Sequence, residues 1–420
     1  MGAGRDDERV GASLTEPTVM TDRTTFLQNA FAEEYGDPGT HLVRAPGRVN
    51  LIGDHTDYNG LPVMPMAIQR DLMLLCRARP DSTVCIANVD LQFEPCSFQV
   101  SPEIPPFELG DWGNYVKAAG QALAQQYTSL SGFDAMVSSN IPIAAGLSSS
   151  TALMMASALM ILDLNDAAIS APQLMELMAS AEHYVGTRGG GMDQAICIGA
   201  QPRSASRIDF NPMRITPIPV PSNWRFVIAS SLVRAEKSSA VREAYNSRTR
   251  ECKEALGLVA TSLGSPERTS YTGVMSGVPA EDLLETAEQA LDATLLKRFR
   301  HVVTEALRVT MAERAMRGDD LDDYGRLMSE SHMSLRDDFE VSCEELDRLA
   351  EIAIKSGARG ARLSGAGFGG CIVALCGADD VDHVIDALGS EFYSTRELGG
   401  DLTDVLFVAE PSKGASVMEV

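Results

Sequence analysis

The stretch Arg44 to Gly60, RAPGRVNLIGDHTDYNG, decides how the rest of the chain is read. Val49, Leu51 and Ile52 alternate as a buried strand does, and Asp54, His55, Asp57, Tyr58 and Asn59 follow as the loop at its end. A turn needs only two or three such polar residues. A loop this rich in acceptors and short donors, launched from a rigid strand, suits a polyhydroxylated ligand, because each hydroxyl taken out of water needs a partner.

Outward from this loop, 420 residues exceed one comfortable core, so two lobes are expected. The net charge of −23 disfavours general binding to polyanions, which makes nucleic acid and anionic membranes poor partners. A nucleotide remains possible, since a few focused donors hold it locally. The eight cysteines form no CxxC pair or Cys/His cluster at zinc spacing, and read as reduced, mostly buried thiols. Residues 1–22 are polar and read as a disordered tail without a signal-peptide core. With no apolar run of spanning length, a cytoplasmic protein is expected.

Strand patterns cover 63–76, 83–89, Phe133–Ser138 and Trp224–Ser231, and helical patterns Trp112–Gln126, Thr151–Leu164 and Pro172–Tyr184. Further helices are expected at Ala240–Leu258, Glu281–Glu313, Tyr324–Ser331 and Cys343–Ser356, with an exposed loop at 262–279. Strands close the chain at Gly360–Leu363 and Cys371–Cys376, followed by a helix and a strand. The class is α+β, with a tail at 1–22 and lobes at 23–210 and 211–420.

Two further stretches carry chemistry. PIAAGLSSST (142–151) leads into an apolar helix, where unpaired N–H groups, the helix dipole and the hydroxyls of Ser148, Ser149 and Ser150 suit phosphate. No lysine follows, so this is not a GxxxxGK[ST] loop. EHYVGTRGGGMDQ (182–194) places Asp193 at a helix start behind three glycines. A glycine-rich turn, ARLSGAGFGGC (361–371), joins two strands near the C-terminus.

The first stretch resembles the first signature of the galactokinase family within the GHMP kinases, usually GRVNLIGEHTDYNGG. Asp54 here replaces a glutamate and Leu61 a glycine. The second resembles PxGxGLSSSA, with Ala144 and Thr151 as departures, and the last resembles the third GHMP signature. Segments 330–347 and Trp112-Gly113-Asn114-Tyr115 also match the family. The resemblance implies a two-lobed GHMP kinase fold, with mixed sheets packed by helices and the active site in the cleft between lobes. It further implies an ATP-dependent sugar 1-kinase, with Asp193 as the base and Arg48 beside it.

Asp54, His55, Asp57, Gly190 and Tyr245 would meet the sugar, and Gly146, Leu147 and the three serines the phosphates. Trp112 would lie near adenine, and Ser150 with Glu182 would hold Mg2+. The family glutamate reaches the C6 hydroxyl, so the shorter Asp54 implies weaker selectivity there. Galactose is the favoured sugar, with N-acetylgalactosamine or another galactose-like sugar second. An inactive sugar and ATP sensor ranks below both, because the serine loop is intact. Small-molecule partners and a monomer or weak homo-oligomer complete the expectation.

Overall fold

In a computed structural model of the chain, residues 16–233 and 239–420 are described. The strands are β1 (His41–Ile52), β2 (Met64–Ala78), β3 (Thr83–Asn88), β4 (Cys96–Gln99), β5 (Phe133–Ser139), β6 (Ser204–Asp209), β7 (Arg214–Pro219), β8 (Trp224–Ser230), β9 (Gly360–Ser364), β10 (Cys371–Gly377), β11 (Leu406–Ala409) and β12 (Ser416–Glu419). The first helices are α1 (Glu16–Tyr35), α2 (Gly113–Ala124), α3 (Ser149–Leu164), α4 (Ala171–Ala181), α5 (Met192–Gly199) and α6 (Ser239–Ser262). They are followed by α7 (Tyr271–Met275), α8 (Ala280–Ala290), α9 (Ala293–Arg317), α10 (Leu321–Asp337), α11 (Glu344–Lys355), α12 (Val381–Leu388) and α13 (Leu402–Val405). No described helix is long and apolar enough to cross a membrane.

A six-stranded mixed sheet has the order β12-β1-β2-β5-β3-β4, in which only β3 and β5 pair in parallel. A four-stranded antiparallel sheet has the order β11-β8-β10-β9, and β6 and β7 form a separate hairpin. Alternation along β8 divides its side chains between two cores. Trp224, Phe226 and Ile228 join the core under the large sheet. Val227 and Ala229 join the core formed with α6, α9 and α11.

Several expectations change. The tail is shorter than 1–22, since α1 begins at Glu16, while residues 1–15 lie outside the described residues. A boundary at residue 210 would cut the β6–β7 hairpin, and β12 returns from the chain's end to pair with β1. The helix expected over Glu281–Glu313 is two helices, because the carboxylate of Asp292 caps α9 by accepting the N–H groups of Thr294 and Leu295, both at 2.9 Å. The loop at 262–279 contains the short α7.

β1 is the element on which the site is built. The β1–β2 register shifts between Pro46 and Arg48 and again between Asn50 and Ile52. Such irregularities re-aim side chains, and here they flank Arg48 and Asn50. Helix α9 fixes the strand's end: the carboxylate of Glu305, fully buried, accepts the Gly53 N–H at 2.8 Å and the Ser331 hydroxyl at 2.6 Å. Burial alone would raise its pKa, but Arg308 at 2.7 Å brings it down to about 2. One turn earlier, His301 Nε2 lies 3.1 Å from the Asp54 carbonyl. Glu305→Ala should therefore cost about 3–5 kcal/mol in urea unfolding, because Arg308 stays buried without its partner. Glu305→Gln should cost less, since it keeps an acceptor for Gly53.

Candidate active site

The four sequence stretches converge. The turn at 365–370 lies against the serine loop so closely that a Cβ on Gly146 would stand 2.9 Å from the Ser364 carbonyl oxygen, and one on Gly365 3.0 Å from that of Gly146. Both glycines have positive φ, 72° and 88°, a backbone that glycine adopts without strain. Ala144 holds φ 55° where the family pattern has glycine, at a cost of about 1 kcal/mol.

At the junction Arg48 reaches Asp193 with two bonds, Nε to Oδ1 at 2.7 Å and Nη2 to Oδ2 at 2.9 Å. Its Nη1 donates to the Gly146 carbonyl, and its backbone N–H to that of Leu147 at 3.1 Å. Burial would lower the Arg48 pKa, but the charge and hydrogen bonds of Asp193 outweigh it and raise it. This guanidinium stays charged. The Ser148 hydroxyl also donates to Asp193. Its φ of 60° turns the side chain away from the helix it precedes. Ser149 and Ser150 open α3 and line the cleft, with N–H groups lying too early in the helix for an intrahelical acceptor.

On the opposite wall, Asp57 Oδ2 accepts the Gly190 N–H at 3.1 Å. A Cβ on Gly190 would fall 2.2 Å from the Tyr58 nitrogen, so only glycine permits this approach. Burial, and then Asp193, push the Asp57 carboxyl up to about 6. Tyr245 of α6 completes the wall, its ring 5.7 Å from those of Tyr58 and His55. Burial raises its pKa well above the ordinary value, leaving a neutral hydroxyl.

His55 stands at φ 64°, packs 4.6 Å from the Phe339 ring, and pairs Nδ1 with the Tyr58 hydroxyl at 3.0 Å. Burial drives its pKa well below the ordinary value, so the ring is neutral. Its Nε2 is buried without a partner among the described residues.

Asp54 lies on the cleft wall, but both its oxygens are engaged. Oδ1 accepts from Asn50 at 2.8 Å, and Oδ2 from Arg362 and from the Gly365 N–H at 3.3 Å. Burial raises the carboxyl pKa, against the pull of Arg362 and Asn50. Arg362, in ARLSG, is a site residue to which the sequence alone assigns no role. Its signal is an arginine in a strand that otherwise reads as core, since such a charge needs a buried partner.

Glu182 is buried, and its Oε1 accepts the Thr151 hydroxyl at 3.1 Å. A Cβ on Gly189 would sit 3.0 Å from Oε2. The missing side chain at Gly189 thus keeps room beside a carboxylate oxygen, and Ser150 adds a hydroxyl in the same cleft. This all-oxygen donor set suits Mg2+. Trp112 does not reach this wall. Its indole donates to the Glu94 carbonyl at 3.0 Å, and its ring meets Phe93 at 5.8 Å.

The fold and the convergent loops define a GHMP kinase. Residues 114–201 match the model "GHMP kinases N terminal domain", and residues 312–395 "GHMP kinases C terminal". Mevalonate kinase of Methanococcus jannaschii shares the fold at TM-score 0.58 and 18% identity, covering 89% of this chain and 98% of that one.

Residues 29–78 match "Galactokinase galactose-binding signature". A galactokinase of Chloroflexus aurantiacus is 36% identical over 364 residues, 86% of this chain and 90% of the relative. Lactococcus lactis galactokinase, solved in complex with galactose, superposes at TM-score 0.81 with 32% identity, covering 93% of this chain and 99% of that one. The chain belongs to the galactokinase family, and is a phosphotransferase acting on a sugar hydroxyl.

The Asp57 environment gives a stability prediction. A carboxyl whose folded pKa is raised destabilises the fold above that pKa and has no such effect below its unfolded value, here 3.8. Asp57→Asn removes the charge and keeps an acceptor for Gly190. It should stabilise the protein by about 1 kcal/mol at pH 8, discounted for partial exposure. The gain should fade between pH 6 and 4 in thermal melts.

Proposed function

We propose that this chain transfers the γ-phosphate of ATP to the anomeric hydroxyl of galactose, with Asp193 as the base. The observation that carries this reading is the position of Asp193. It faces the Asp57, Gly190 and Tyr245 wall on one side and the serine loop on the other, held by two bonds from a buried arginine.

Phosphoryl transfer depends mainly on positioning and charge stabilisation. The hydroxyl proton passes to Asp193 as the sugar oxygen bonds to phosphorus. Arg48 orients Asp193 through two bonds, and its bond to Gly146 ties that orientation to the loop beneath the phosphates. Ser148 supports Asp193 rather than phosphate, so phosphate binding falls to Ser149, Ser150 and the first N–H groups of α3. Asp57 accepts sugar hydroxyls, while Tyr245 offers a neutral donor and an apolar ring face. Glu182 and Ser150 would hold Mg2+, which when bound neutralises charge on the phosphates. The free thiols of all eight cysteines accord with a cytoplasmic setting.

Asp193→Ala should lower kcat by about 10²–10⁴-fold and leave galactose binding measurable by calorimetry. Wild-type turnover in the variant, read as galactose-dependent ADP release, would remove Asp193 from the base role.

With Asp54 held by Arg362 and Asn50, the C6 hydroxyl meets a shorter and already engaged acceptor than in the family pattern. Selectivity at C6 should be weak as a result. Asp54→Glu should raise the preference for galactose over 6-deoxygalactose, measured as the ratio of kcat/KM values. An unchanged ratio would separate Asp54 from C6 recognition.

A further inference from the structure

Building on that reading, a balance of charge in the cleft points to one more residue. The reaction brings a nucleoside triphosphate into a protein of net charge −23, beside the carboxylates of Asp54, Asp57, Glu182 and Asp193. Two arginines near these groups are committed: Arg48 to Asp193, and Arg362 to Asp54. The serine loop carries no lysine.

Arg242 lines the same cleft, and among the described residues no carboxylate pairs with it. Its Nη1 lies 3.5 Å from the Val185 carbonyl, the outer limit of a hydrogen bond.

Two placements say what this cation serves. Arg242 precedes Tyr245 by three residues on α6, so the two occupy neighbouring positions on one helix face. Its stem also crosses the turn joining Glu182 to Asp193, with Cδ 3.4 Å from where a Cβ on Gly186 would sit. It therefore lies between the sugar wall and the Glu182–Ser150 end. The Thr187 hydroxyl lines the same end, buried and without a partner among the described residues.

We propose that Arg242 is a further catalytic residue, whose guanidinium donates to the non-bridging oxygens of the γ-phosphoryl group during transfer. In that step the anomeric oxygen–phosphorus bond forms and the bond from phosphorus to the β–γ bridging oxygen breaks. The electron pair leaves with ADP, and the hydroxyl proton goes to Asp193. A planar, permanently charged fork fits this task better than an ammonium point charge.

The competing reading is an arginine that only braces α6 against the 182–191 turn. Arg242→Gln, Arg242→Lys and the wild type separate the two, using ATP and galactose kinetics together with calorimetric binding of a methylene-bridged ATP analogue and of ADP. We expect Arg242→Gln to lower kcat about 100-fold and weaken the triphosphate analogue about tenfold. ADP affinity and the KM for galactose should stay within about twofold, with Tm unchanged and Lys recovering part of the loss.

Equal weakening of the triphosphate and the diphosphate overturns the γ-phosphoryl assignment. So does a loss confined to galactose KM or Tm, or wild-type kcat in Arg242→Gln. Should the Gln variant not fold, Arg242→Lys decides by the same pair of affinities. The analogue binding needs no sugar, so it stands apart from the proposed reaction. That reaction fails only if the wild type releases no ADP in the presence of galactose.

Discussion

The buried pair of Arg48 and Asp193 organises this molecule. Arg48 is one residue in a central strand, yet it binds the start of α5 through Asp193 and the serine loop through Gly146 and Leu147. An arginine this deep is costly unless it is paired and hydrogen-bonded. Its Nε, Nη1, Nη2 and backbone N–H all find acceptors. The constraint runs both ways. The strand must be bulged to aim Arg48, and the loops must lie where its fork points.

A second buried pair, Asp54 with Arg362, does for the third loop what Arg48 does for the second. It joins the end of β1 to β9, and α9 clamps the intervening Gly53 and Asp54 backbone through Glu305 and His301. The loop that follows β1 is thus held at its backbone by a helix from the other half of the chain. That arrangement leaves the Asp57 side chain to meet the Gly190 backbone across the cleft.

Much of this could be read from residue order. Alternation identified β2, β3 and β5, and the small-residue loop before an apolar helix identified the start of α3, because both signals are local. The break in the long helix was also written locally, in Asp292, whose capping role competes with the continuous helical period around it. Other features depend on distant partners and leave no local mark. Ser148 turns to a carboxylate 45 residues away, and Asp54 meets an arginine 308 residues away. Trp112 matched a family helix, but its indole is taken by the Glu94 carbonyl on a neighbouring segment.

The pairing of β12 with β1 has a consequence for how the protein comes into being. Synthesis runs from the N-terminus, so the strand that carries Arg48 leaves the ribosome with one edge bare. The partner for that edge, Ser416–Glu419, follows every other described strand in chain order. Until β12 is made, His41–Arg44 exposes unpaired backbone groups that can recruit any extended segment. The edge of β1 closes only once β12 is made, so a chain cut short before Ser416 would open the first sheet at the strand that bears Arg48.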